Sequence, residues 1–348
     1  MTHSSLIKFL PDNFTPLQRT PWGGRKIVEQ LKSNLLLQND SEPPVVGESW
    51  EFSLDDDFAS RCVEEPHLTL RECFAGNPRL LSPAHIARWG HDSPLLLKLI
   101  DAADTLSVQL HPDFEAPGLA AHESGKWEAW IVLHADPGAG IYCGLRPGIR
   151  REELEKALVE GDKLKDCLQF REVKPGECYV ISPGLVHAIG AGVCLLEPQI
   201  SQPGHKALTY RLWDWQRKYD ERGVLSKHGT ARQLHVEQAL QCIDFSQTAL
   251  QALAPVSAPI RYAKDLWVQR LIETPIIVCE IYKGQADCIL PLPRELCSIC
   301  VLRGKLQLSS DSERISFEQG ESGVIAASLR ELRVWGEYCE FVLTWLKP

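Results

Sequence analysis

The segment Thr105–Pro112, TLSVQLHP, alternates without a break, with Leu106, Val108 and Leu110 on one side and Ser107, Gln109 and His111 on the other. Side chains two apart on an extended chain share a face, so this is a strand that points three polar groups the same way. Gly125–Leu133, GKWEAWIVL, follows the same rule, with Lys126, Glu128 and Trp130 on one face and Trp127, Ala129 and Ile131 on the other. Helical periodicity is confined to Ser82–Trp89, Arg150–Leu158, Lys163–Leu168 and His235–Ile243. The remainder reads as short strands punctuated by 23 Pro and 24 Gly, so the fold is expected to be mainly β. With 348 residues the chain can bury a sizeable core without disulfides.

The stretch Thr248–Pro259, TALQALAPVSAP, is rich in Ala, Pro and Ser and poor in charge, which marks a linker candidate near residue 255. The expected organisation is therefore a domain over 1–255, with helical insertions at about 76–91, 145–170 and 233–245, and a second β domain over 256–348. GECYVIS from Gly176 and GESGVIA from Gly320 share the frame Gly-Glu-x-x-Val-Ile-small, late in each part. A match this short arises by chance or by duplication of one β module; in its register His187 falls opposite Glu331.

A net charge of −9, with no Lys/Arg stripe, speaks against nucleic acid as a partner. The longest apolar runs fall far short of the ~20 residues that span a bilayer. The opening MTHSSLIKFLPDNF lacks the pattern of a secretory leader, so the expectation is a cytoplasmic protein, a monomer or weak homo-oligomer, with its 12 Cys reduced. The one Cys-x-x-Cys, Cys297/Cys300, sits in the strand-like run ELCSICVL and reads as small buried apolar residues rather than as a redox or zinc pair.

Three segments carry candidate chemistry. Taken alone, TLSVQLHP reads equally as a solvent-facing polar edge, and Lys126 beside Glu128 as a surface ion pair. A lone histidine such as His187 after the Pro183-Gly184 turn is ordinarily just a hydrogen-bonded residue. Together, however, Gln-x-His, then Glu, then Pro-Gly-x-x-His follow the order in which cupin barrels present metal ligands from adjacent strands. Two imidazoles, a carboxylate and an amide oxygen suit a divalent ion, Zn²⁺ foremost, with a position open to water or substrate. In LTYRLWDWQRK, Leu208–Lys218, Arg211 reads either as cation–π packing on Trp or as a cation suited to an oxyanion.

The chain resembles the class I, cupin-type mannose-6-phosphate isomerases. The resemblance runs through TPWGGRKI, GESWEFS, PLLLKLIDAADTLSVQLHPD, GKWEAWIVL, VKPGECYVISPGLVHAIGAGVCLLEPQ and TYRLWDWQR, over most of residues 20–240. It implies tandem cupin, or jelly-roll, barrels with helical insertions, the second barrel without ligands. It implies metal ligands Gln109, His111, Glu128 and His187, a catalytic Arg211, and Lys126 in proton transfer, with Glu197 as a second candidate base. It implies contacts to a sugar phosphate from Lys98, Ser107 and Arg217. The family pattern has an Asp four residues before the catalytic Arg, where this chain has Ala207, so His205 or Lys206 is left to occupy that space.

The implied reaction interconverts mannose 6-phosphate and fructose 6-phosphate through a cis-enediol. Two other readings keep the fold: a cupin metalloenzyme acting on another sugar or as an oxygenase, and a sugar-phosphate-binding cupin without catalysis. Gln109 is unusual for the iron sites of oxygenases.

Overall fold

The computed structural model describes residues 4–36, 43–247, 249–254 and 256–348. Two antiparallel five-stranded sheets face one another in the first part of the chain. One runs in the order Glu48–Phe52, Leu95–Asp101, Val193–Ser201, Lys126–Ala135 and Cys178–Ile181. The other runs Tyr210–Trp213, Val108–Leu110, His187–Ile189, Gly140–Leu145 and Leu168–Glu172. Ile100, Trp130, Ile141, Tyr179 and Leu195 fill the space between them at one end of the barrel. Helices Arg151–Glu160, Leu164–Cys167 and Val236–Cys242 cover the outer face of the second sheet, where Leu154, Leu164 and Ala239 meet Val108, Leu110 and Ala188. The fold is mainly β and cupin-like, as the motifs imply.

The first helical insertion starts earlier than the apolar periodicity indicates. A helix spans Leu70–Gly76, ahead of Pro83–Trp89, and it opens on a capping box: the Thr69 hydroxyl accepts from the Glu72 N–H, and the Glu72 carboxylate accepts from the Thr69 N–H. The spacing Thr-x-x-Glu is the signature of that motif, and it was present in the sequence.

The second part is a sheet in the order Leu6–Lys8, Ser322–Ile325, Cys297–Ser309, Glu331–Leu346, Ile277–Pro291, Asp265–Glu273 and Ile260–Arg261, with Arg314–Glu318 alongside Cys297–Ser309. The first strand of the chain thus belongs to the last sheet, with Ile7 opposite Val324, and a division at residue 255 leaves it on the wrong side. Over residues 277–282, 297–302 and 341–346 the sheet is buried on both faces. Ile7, Cys300, Val324 and Val342 pack towards Phe52, Leu97 and Leu99 of the first part, while Leu6, Ile299, Val301 and Phe341 form the second part's own interior. That double burial explains why ELCSICVL shows no polar alternation. It also places Cys297 and Cys300 in different cores, so they neither pair nor chelate, and burial pushes both thiols up from their ordinary range.

The Ala/Pro-rich stretch is not a loose tether. Ala252 and Ala254 are buried, Leu253 bridges to Tyr179, and the Ala254 N–H donates to the Cys178 carbonyl at 2.8 Å, so the stretch covers the exposed edge of the Cys178–Ile181 strand. Thr248 and Pro255 of this stretch lie outside the described residues.

Candidate metal centre and substrate cavity

Strand register assembles the site. In the first sheet Lys98 stands opposite Glu197, Glu128 opposite Gln199 and Lys126 opposite Ser201. In the second, Gln109 stands between His187 on one side and Arg211 on the other. Because the two sheets face each other, these inward positions converge on one cavity of about 680 Å³. A volume of that size suits a small phosphorylated sugar.

His111, Glu128 and His187 are all buried and bring one ligand atom each to within 4.8 Å of the others. The Nδ1 atoms of both histidines face backbone carbonyls, Leu208 for His111 at 3.3 Å and Leu185 for His187 at 2.8 Å. A hydrogen on Nδ1 leaves Nε2 with its lone pair, and the Nε2 of each is buried without a hydrogen-bond partner. Burial holds the His111 imidazole down at about 3 and lowers that of His187, so both stay neutral. Burial also opposes the charge on Glu128, but the Lys126 ammonium 2.6 Å from Oε1 outweighs it and the carboxyl stays well below its usual range, while Oε2 faces His111 Nε2 at 3.2 Å. Two orphaned imidazole nitrogens beside one ionised carboxylate are a donor set that fits a divalent ion. Gln109 lines the same cavity, its amide oxygen accepting from Ser107 Oγ at 3.1 Å.

Two buried ion pairs form the rest of the floor. Lys98 Nζ lies 3.1 Å from Glu197 Oε1 and donates to Gln199 Oε1 at 3.1 Å; Lys126 Nζ lies 3.3 Å from that same amide oxygen. The second Glu197 oxygen accepts from Trp130 Nε1 at 3.0 Å. Burial, then the Glu128 charge, pushes the Glu197 carboxyl up to about 7, whereas Glu197 and Glu48 hold the Lys98 ammonium above its usual value against its burial. Arg211 donates from Nε to Ser107 Oγ at 3.0 Å; burial and then the neighbouring Arg232 guanidinium lower it to about 10.

Of the residues expected at the site, Lys98, Ser107, Gln109, Lys126, Glu128, His187, Glu197 and Arg211 line the cavity, and His111 lies buried beneath it. Arg217 does not. Trp215 and Gln216 adopt φ of 57° and 55°, a left-handed turn that ends the strand, and Arg217 is delivered to Asp214 at 2.7 Å and Asp104 at 2.8 Å. Ala207 lines the cavity without an ionisable group, and His205 and Lys206 flank it there. Glu48, Gln199 and Arg232 were not singled out from sequence. Gln199 shares parity with Glu197 two residues before it, which was the available signal; nothing local pointed to Arg232.

No family model matches the chain. It is 27% identical over 320 residues to the mannose-6-phosphate isomerase of Streptococcus mutans, covering 91% of this chain and 92% of that one. Its fold superposes on the crystal structure of the mannose 6-phosphate isomerase from Bacillus subtilis with a TM-score of 0.79 and 21% identity, over 98% of this chain and 99% of that one. A zinc-bound mannose 6-phosphate isomerase aligns with a TM-score of 0.70 and 15% identity, over 99% and 100% of the two chains. The resemblance read from the motifs therefore extends along nearly the whole chain in sequence and in fold.

Proposed function

We propose that this chain, a relative of the mannose-6-phosphate isomerases, is an aldose–ketose isomerase that interconverts mannose 6-phosphate and fructose 6-phosphate. The observation that carries the reading is the buried His111–Glu128–His187 triad, with its two unpartnered Nε2 atoms, at the floor of a cavity that also gathers Lys98, Lys126 and Arg211. With Gln109 alongside, these residues would hold one zinc ion, which when bound supplies a Lewis acid for the oxygens at C1 and C2. Zinc in the related structure of known content accords with this donor set.

The chain's own residues supply the rest. Arg211 places a fixed cation, oriented by Ser107, where negative charge develops on the enediolate oxygens. Moving the proton between C1 and C2 needs a group with a free position. Each Glu197 oxygen accepts one contact, from Lys98 and from Trp130, and keeps a lone pair, and burial pushes its carboxyl up to about 7. Lys126 uses two of its three ammonium directions, towards Glu128 and Gln199, and takes up a proton only from its neutral form, so Glu197 and Lys126 are both candidates to carry the proton in this reading. Proton transfer of this kind contributes roughly 10²–10⁴-fold. A cytoplasmic location and a monomer or weak homo-oligomer go with the reading. All cysteines are free. Among the described residues no helix is long and apolar enough to cross a membrane.

The test is an assay with mannose 6-phosphate in which fructose 6-phosphate is converted onward to glucose 6-phosphate and read continuously. Steady turnover by the zinc-loaded protein is expected. Tight binding of the sugar phosphate without turnover would instead make this a binding protein.

A further inference from the structure

Beyond Arg211 the cavity wall carries a second guanidinium, that of Arg232. Residues 232–235 run beside the Tyr210–Trp213 strand: the His235 N–H donates to the Arg211 carbonyl at 2.7 Å, the Arg211 N–H donates to His235 Nδ1 at 3.3 Å, and Arg211 Nη1 donates to the Gln233 carbonyl at 2.9 Å. This clamp sets Arg232 next to Arg211 in the cavity lining. The carboxylate nearest Arg232 is Asp214, at 3.9 Å, outside hydrogen-bond distance. Asp214 Oδ1 already accepts from Arg217 at 2.7 Å. Arg232 Nη1 is left buried with no hydrogen-bond partner, alone among the guanidinium nitrogens of the described residues.

Apart from the exposed Lys206, the remaining cations of the cavity lining have company. Lys98 is matched by Glu197, Lys126 by Glu128 and Arg71 by Asp92, and Arg19 lies over the rings of Trp50 and Phe58. Arg232 shares the charge of Asp214 with Arg217, and its buried Nη1 has no acceptor, which is costly unless an anion completes it. A phosphate monoester does so well, because its oxygens match the fork of a guanidinium.

We propose that Arg232, beyond Arg211 on the cavity wall, seats the phosphate of the substrate. The inference rests on the isomerase reading and adds the residue that holds the non-reacting end. Hydrogen bonds run from Gln109 through Ser107 to Arg211, and Arg232 lines the cavity within electrostatic reach of Arg211, so a molecule anchored at Arg232 extends along that row towards the triad. Binding energy from the phosphate is then available to orient the reacting carbons.

The test compares wild type, Arg232→Gln and Arg232→Lys, with mannose 6-phosphate as substrate and inorganic phosphate as competitor. In Arg232→Gln the KM and the inhibition constant for phosphate should both rise about tenfold to a hundredfold, with kcat and zinc content much less affected. Arg232→Lys should recover a good part of both, and its near-ultraviolet circular dichroism guards against misfolding. Unchanged KM and phosphate inhibition would overturn the assignment and leave Arg232 as a partner of Asp214 only. A fall in kcat alone would overturn it too, in favour of positioning Arg211. Absence of turnover in the wild type would sink the isomerase reading but not this one: calorimetric binding of inorganic phosphate, present in wild type and weakened in Arg232→Gln, would still support the anion seat.

Discussion

The two β modules share a frame and differ in what they put inside it. Gly176 and Gly320, at φ of 90° and 84°, each turn the chain into a strand, Cys178–Ile181 in one module and Ser322–Ile325 in the other. In the first module the positions that face inward include His111, Glu128, His187, Lys98 and Glu197; in the second they are Tyr282, Ile299, Val301, Leu306 and Phe341. Where the first has His187, the second has Glu331, an exposed residue at the start of its last strand. A barrel interior is thus able to hold charge only where cross-strand partners compensate it, and the first module spends its inward positions on that compensation. The second devotes its interior to apolar packing and lends its other face to the core it shares with the first. At that seam a buried ion pair, Lys32 and Glu51 at 2.8 Å, receives a further hydrogen bond from Ser322 of the second module at 2.7 Å.

The largest expected effect falls in the first module. Glu128→Ala removes the one carboxylate of the triad and should cost bound zinc and about a thousandfold or more of turnover; metal analysis beside the coupled assay reads both. Arg211→Ala should lower kcat by about 10²–10³-fold while zinc stays bound. A variant that keeps near wild-type kcat would remove Arg211 from the chemistry. In the second module, Ile299→Val should cost about 0.5–1.5 kcal/mol in denaturant unfolding and leave zinc content and KM alone; altered kinetics would blur the division between the modules. Smallest of all, Glu331→His should bring no metal to the second module, because among the described residues the only cluster of three metal-ligating side chains is His111, Glu128 and His187.

How much of this was legible in the sequence follows from the period of a strand. Ser107, Gln109 and His111, or Lys126, Glu128 and Trp130, advertise a shared face through spacing alone, and all of them gather at one cavity or directly beneath it. The helices at Pro83–Trp89, Arg151–Glu160 and Val236–Cys242 were visible in the same way. Arg217, which the resemblance puts at the sugar phosphate, lies off the cavity because the left-handed backbone at Trp215 and Gln216 carries its side chain to Asp214 and Asp104. Arg232 was out of reach because its importance comes from Arg211 and Asp214, neighbours in space. The return of Leu6–Lys8 to the last sheet is likewise a long-range pairing with no local signature.

The central claim is that one buried triad, in one of the two β modules, makes this chain a metal-dependent isomerase. The most direct test titrates zinc into the chelator-treated protein while turnover of mannose 6-phosphate is followed. Activity should rise in step with bound metal and level off at one zinc per chain. Full activity without metal, or saturation only after a second zinc has bound, would contradict the account.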